Sequence, residues 1–219
     1  LIPAFAVGRT QELLYWFARH WNDWDMSRWR IFLDSPMASK VVQVYDRHHA
    51  LFDAEAREVW RGTPNPFRLP NLRVTETAEE SMAINRIHGG AIIIAGNGMA
   101  SGGRILHHMR QCLPKRQTRM VFVGFQAEGT IGRRLVDGAR WVRIHGYDVR
   151  VNAHRHTVGG LSAHADQHGL LDWYAGFSTP PPVALVHGED LAREALAGEI
   201  HEAHGVQAVL ARPGMQLDV

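Results

Sequence analysis

Ala91-Ile92-Ile93-Ile94-Ala95, followed by Gly96-Asn97-Gly98-Met99-Ala100-Ser101-Gly102-Gly103 and then Arg104 to Cys112, reads as strand, glycine-rich loop and helix. The strand is apolar on both faces, and Met120-Val121-Phe122-Val123 repeats the pattern after the helix. Strands of this kind alternating with helices predict an α/β chain with a mostly parallel sheet covered on both sides.

Working outward, Leu13, Leu14, Phe17 and Trp21 recur at helical spacing within Arg9 to Trp21, behind Gly8 and with Thr10 as a candidate cap. Arg30-Ile31-Phe32-Leu33 is a short buried strand that stops at Asp34-Ser35-Pro36, where Ser35 suits an N-cap and Pro36 the first helical position. Helices are expected over 38–49, 53–60 and 76–87, a loop at the Pro64, Pro66 and Pro70 cluster, and a strand over 72–75. Trp141 to Ile144 and Asp148 to Val151 alternate like a hairpin around Gly146-Tyr147. After it come helix 167–174, the Pro180-Pro181-Pro182 linker, strand 183–186, helix 191–204 and strand 206–210.

Composition bounds the function. The 219 residues are 45% hydrophobic and 21% charged, ordinary values for a globular protein of one large or two small domains. Cys112 is the only cysteine, which excludes an internal disulfide, a cysteine-rich zinc site and a redox pair, and fits a reducing, cytoplasmic location. No membrane span or secretory leader is read. The opening Leu1-Ile2-Pro3-Ala4-Phe5 has no initiator methionine and reads as an internal strand, so a fragment is expected. A formal charge of +2 does not by itself argue for nucleic acid, although Arg104, Arg110, Lys115, Arg116, Arg119 and Arg133-Arg134 cluster.

The Gly96–Gly103 loop could cradle a phosphate on backbone N–H groups, with Arg104 adding charge at the same mouth; a tight turn without a ligand is an equal alternative. Its G-x-G-x-x-x-G spacing is not the dinucleotide fingerprint. His107-His108, adjacent on a helix, point to different faces and do not make a joint metal site. His154-Arg155-His156 in an extended segment puts two imidazoles on one face. His164 and His187 each sit among small residues where a strand gives way to a turn or helix, which lets a ligand approach the ring. From the residues alone a structural histidine remains the commoner outcome, and two imidazoles are short of the three protein ligands of a catalytic zinc.

The run Ile2-Pro3-Ala4-Phe5-Ala6-Val7-Gly8-Arg9-Thr10-Gln11-Glu12-Leu13-Leu14, then Asp34-Ser35-Pro36-Met37-Ala38, Gly98-Met99 through Ser101-Gly102-Gly103, and Gly124-Phe125-Gln126 to Gly129-Thr130, resembles in that order the second half of a β-CASP nuclease of the metallo-β-lactamase superfamily. The resemblance covers nearly the whole chain. It implies a helix-flanked, mostly parallel β-CASP sheet over 1–161, then over 162–219 the C-terminal part of a metallo-β-lactamase αββα fold.

It also implies roles. His164 in Ser162-Ala163-His164-Ala165-Asp166 matches a signature histidine near the scissile phosphate, a proton donor to the leaving oxygen. His187 in Val186-His187-Gly188-Glu189 matches a ligand to one of two zinc ions, and histidine there is the choice of RNA-directed members. Ser162 and His156 would contact a phosphate, and Ser101, Gly102 and Arg104 would guide single-stranded RNA. The other metal ligands of the family belong upstream of Leu1, so this stretch alone is expected to lack a complete zinc site and not to cut RNA unaided. The implied activity is zinc-dependent endonucleolytic or 5′-exonucleolytic hydrolysis of RNA in the intact protein. Two readings compete with it: a non-catalytic RNA-binding partner subunit, and a nucleotide-binding α/β protein using the Gly96 loop. Self-association of the fragment is expected where apolar surface is exposed.

Overall fold

A computed structural model describes residues 1–62 and 64–217. The chain divides into two compact units, Leu1–Ser162 and Ala163–Val219, the last two residues of the second lying outside the described ones.

The first unit runs β1 (Ile2–Pro3), α1 (Arg9–Arg19), β2 (Arg30–Asp34), α2 (Pro36–Arg47), α3 (Ala54–Arg61), β3 (Leu72–Val74), α4 (Ala78–Ile84), β4 (Ala91–Ala95), α5 (Arg104–Cys112), β5 (Arg119–Phe122), α6 (Ile131–Val136), β6 (Trp141–Ile144), β7 (Tyr147–Arg150) and β8 (His154–Thr157). Strands order as β1-β4-β2-β3, all parallel, with Ile31 opposite Ile92 and Leu72. β5 pairs in parallel with β8, Val121 beside His156. Leu1 links the two sheets: Val121 N–H donates to its carbonyl at 2.9 Å and its own nitrogen donates to the Arg119 carbonyl at 2.7 Å.

Consecutive strand residues divide between two cores, as the pleat requires. Ile31, Leu33 and Ile94 pack with Leu13, Leu14 and Phe17 of α1 and with Val42 of α2. Ala95, Met120 and Phe122 pack with Ile105 and Met109 of α5, Leu135 of α6, and Val142, Ile144 and Val149 of the hairpin. The expected α/β class with a mostly parallel sheet between helices is what forms; β6–β7 is the antiparallel pair among the described strands.

Local chemistry sets the ends. Ser35 Oγ accepts from Ala38 N–H at 3.3 Å and Pro36 opens α2, as read from sequence. Thr10 does not cap α1: Gly8 holds the cap position, and the Thr10 hydroxyl donates to the Phe5 carbonyl at 2.8 Å. α4 starts at Ala78, later than expected, because Thr77 and Glu80 form a reciprocal capping box that fixes its start, and it ends at Ile84. The hairpin turns at His145-Gly146, one residue earlier than expected, both with positive φ of 50° and 83°, the geometry that matches strand twist.

The second unit consists of α7 (Gln167–Ala175), β9 (Ala184–Leu185), α8 (Asp190–His204) and β10 (Val209–Leu210). β9 and β10 are parallel around α8, a single βαβ turn. Asp166 caps α7, accepting from Gly169 N–H at 2.8 Å. Among its described hydrophobic residues only Tyr174, Ile200 and Ala208 are fully buried, whereas Trp173, Val186 and Leu191 are exposed.

Candidate nucleic-acid interface

The most elaborate polar structure in the first unit lies where the carboxyl ends of β2 and β3 meet α4 and α5. Asp34, the last residue of β2, is 0% exposed. Its Oδ1 accepts from Thr75 Oγ1 at 2.6 Å and Arg104 Nη1 at 2.7 Å; its Oδ2 accepts from Ser81 Oγ at 2.6 Å and His108 Nε2 at 2.5 Å. Burial pushes the Asp34 carboxyl up, but the hydrogen bonds from His108, Ser81, Thr75 and Arg104 outweigh it and hold the group well below the usual carboxylate range. Arg104 also donates to the carbonyls of Thr75 at 3.1 Å and Glu76 at 2.7 Å. One ionised side chain thereby ties two strand ends to two helices, with every acceptor direction used.

Arg104 is the first residue of α5, so this network anchors the glycine loop that precedes it. The loop is also closed on itself. Asn97 Oδ1 accepts from Ser101 N–H at 3.0 Å, Asn97 Nδ2 donates to Ser101 Oγ at 3.0 Å, and Asn97 N–H donates to the Gly102 carbonyl at 3.0 Å. Gly103 has φ +77°, and a Cβ there would stand 2.4 Å from the Gly96 carbonyl oxygen, so only glycine fits. Gln126 braces the loop from beneath, its Nε2 donating to the Gly98 carbonyl at 3.0 Å. The result is a rigid turn presenting exposed Ser101 and half-buried Gly102 at a helix start. Arg104, expected to guide RNA, is part-exposed and directs Nη1 to Asp34 and the Thr75 carbonyl and Nη2 to the Glu76 carbonyl.

The other expected site residues lie elsewhere. His156 and His154 are exposed on one face of β8, and Ser162 is exposed at the end of the first unit. In the second unit His164 is exposed just ahead of the α7 cap, and His187 is exposed just after β9, before Gly188 at φ +117°. Among the described residues no three His, Cys, Asp or Glu side chains gather to hold a metal ion. The residues present therefore do not fit a zinc centre by themselves.

Neither Thr75 nor Ser81 stands out in the sequence, and nothing there joins Asp34, the start of a motif, to His108, the neighbour of His107. A signal was available: Arg104 and His108 are four apart and share a helix face, and Asp34 ends an otherwise apolar strand. His107 and His108 do point to different faces, the first exposed and the second buried.

A helix-flanked parallel sheet with a braced glycine loop at the carboxyl ends of its strands defines the class. The Beta-Casp domain family model matches residues 10–135, and that of the Zn-dependent metallo-hydrolase RNA specificity domain matches 148–211. The chain belongs to the β-CASP family of the metallo-β-lactamase superfamily. It is 42% identical over 214 residues to Ribonuclease TTHA0252 of Thermus thermophilus, covering 98% of this chain and 48% of that protein. It is 32% identical to the Transcription termination factor FttA of Thermococcus kodakarensis and 31% identical to that of Pyrococcus abyssi, covering 94% of this chain and 33% of each relative. The chain thus spans between a third and about half of the length of these relatives.

Proposed function

We propose that this chain is the β-CASP region, 1–161, and the returning metallo-β-lactamase segment, 162–219, of a zinc-dependent ribonuclease that hydrolyses RNA phosphodiester bonds during RNA processing. The observation that carries the reading is the 42% identity to a ribonuclease across 98% of the chain, with His164 and His187 both present at the positions the family resemblance marks. The transcription termination factors are more distant, at 32% and 31%, which favours RNA processing.

In this proposal His187 supplies one ligand to a zinc pair otherwise held by residues outside this chain; the zinc would lower the pKa of a bound water. His164 protonates the leaving 3′ oxygen, a role worth about 10²–10⁴ in rate. Ser162 and His156 contact phosphate. Ser101 and Gly102 bind the RNA backbone through a hydroxyl and helix-start N–H groups, with Arg104 contributing charge from behind while holding the loop in place. The exposed Trp173, Val186 and Leu191 of the small second unit support its assignment as a segment that needs further protein to cover it. A lone cysteine supports a cytoplasmic location, and no helix among the described residues is long and apolar enough to cross a membrane.

A non-catalytic RNA-binding partner subunit is the second reading, which takes its support from relatives named as transcription termination factors rather than as ribonucleases. Substitution in the full-length polypeptide separates the two. His187→Ala is expected to lower zinc content and abolish cleavage, whereas His164→Ala retains zinc and loses most turnover. Parental zinc content and cleavage in His187→Ala would remove the ligand assignment.

A further inference from the structure

The β6–β7 hairpin closes the second core with one face and leaves the other to solvent. Val142, Ile144 and Val149 are buried and pack with Ile105 and Met109 of α5. The pleat sends the alternate residues to the opposite face: Trp141 stands directly across from Arg150, and Arg143 across from Asp148. All four are exposed, Trp141 by 54%. No ring or guanidinium among the described residues stacks on that indole. A single exposed apolar side chain signifies little, so the neighbours of Trp141 decide what it can do.

Arg140 precedes Trp141, and two further arginines reach the same end of the hairpin. Arg134 Nη2 donates to the Trp141 carbonyl at 3.3 Å, and Arg155 Nη1 donates to the Ala139 carbonyl at 3.0 Å. Carbonyls hold these two guanidinium groups in place without neutralising them. Arg140, Arg143 and Arg150 are exposed and make no ion pair among the described residues. The acids between 131 and 157 are Asp137 and Asp148, and Asp137 is engaged by Arg133 at 2.9 Å. The face is therefore strongly cationic although the whole chain carries a formal charge of only +2. Arginines interleaved with an open aromatic ring suit a flexible polyanion that carries flat bases, because guanidinium groups take phosphates and the indole takes a base.

We propose that the outer face of the β6–β7 hairpin is a contact surface for single-stranded RNA, with Trp141 stacking on a base and Arg143 and Arg150 holding phosphates. The contact tolerates any sequence, since every base has a π-face, and weakens with salt, since displaced counterions drive it. The choice of RNA among polyanions rests on the proposed function. The surface itself uses none of Ser101, Gly102, His164 and His187 and needs neither zinc nor cleavage.

The test is fluorescence anisotropy of the full-length polypeptide with labelled oligouridylate, repeated over a range of salt and in competition with polyglutamate. Binding is measured in the His164→Ala background so that the probe stays intact, and zinc content and cleavage are measured in the parent. Trp141→Ala should weaken binding at least about fivefold, and Trp141→Phe, which keeps a π-face, should restore most of the loss. Arg143→Gln combined with Arg150→Gln should lower the slope of log affinity against log salt by about 1.4, two phosphate contacts at about 0.7 each. Circular dichroism should be unchanged throughout, because the replaced side chains are exposed. Parental affinity in Trp141→Ala, an equal loss in Trp141→Phe, an unchanged salt slope, or displacement by polyglutamate as readily as by unlabelled oligouridylate would each overturn the proposal. Hairpin-dependent binding by a polypeptide that holds no zinc and cuts no RNA would uphold it while removing the ribonuclease reading.

Discussion

Replacing Asp34 by alanine removes the one acceptor shared by Thr75, Ser81, Arg104 and His108. It leaves a half-buried guanidinium without its counter-charge and a buried imidazole without its hydrogen-bond partner. Truncating one member of a buried pair costs about 3–5 kcal/mol, a large part of the roughly 5–15 kcal/mol that stabilises a native protein. With a urea m-value of about 2 kcal/mol/M, the midpoint should fall by about 1.5–2.5 M at unchanged m. Asp34→Asn keeps one oxygen acceptor and loses the charge, so a smaller cost of about 1.5–3 kcal/mol is expected. The sign of the pH effect follows from the depressed carboxyl. Its contribution is present in full above the unfolded value of about 4 and is lost as pH falls below that. Wild-type stability should therefore decline below about pH 4 more steeply than that of Asp34→Asn. A midpoint shift under about 0.3 M for Asp34→Ala, or parallel pH profiles for wild type and Asp34→Asn, would refute the view that this carboxylate clamps the site.

Gly103→Ala forces a side chain into a glycine-only region and against the Gly96 carbonyl. It should cost about 1–3 kcal/mol or more, read as a lowered melting temperature, and an unchanged melt would contradict the loop geometry. Ser101→Ala removes a hydroxyl held by Asn97 at the presented edge of the loop. In fluorescence anisotropy it should weaken single-stranded RNA binding by the full-length polypeptide, and unaltered affinity would take Ser101 out of the interface. His164→Ala should reduce cleavage by about 10²–10⁴ while leaving zinc content as it was; a proportional loss of zinc would make His164 a ligand rather than an acid.

The parallel sheet was legible because β2, β4 and β5 are short apolar runs bounded by polar or glycine residues, and because Ser35-Pro36 marks a helix start unambiguously. α6 is not legible in the sequence because six residues with Gly132 inside them are too few to show a period. The pairing of β5 with β8 was invisible, since an extended His154-Arg155-His156 carries no apolar alternation. In the sequence Asp34 shows only as the end of a strand, because its burial depends on Arg104 and His108, 70 and 74 residues further along. The glycine loop was legible as a loop, but its bracing by Asn97 and Gln126 depends on side-chain geometry that spacing does not encode. For His164 and His187 the family motifs carried the information, and single-residue chemistry did not.

The central claim is that this chain is part of a zinc-dependent ribonuclease. Its most direct test is the zinc content per chain of the full-length polypeptide extended upstream of Leu1, measured with cleavage of single-stranded RNA on the same sample. About two zinc ions with chelator-sensitive cleavage is the predicted result. RNA binding with no zinc and no cleavage would contradict the claim and identify the chain as part of a non-catalytic RNA-binding subunit.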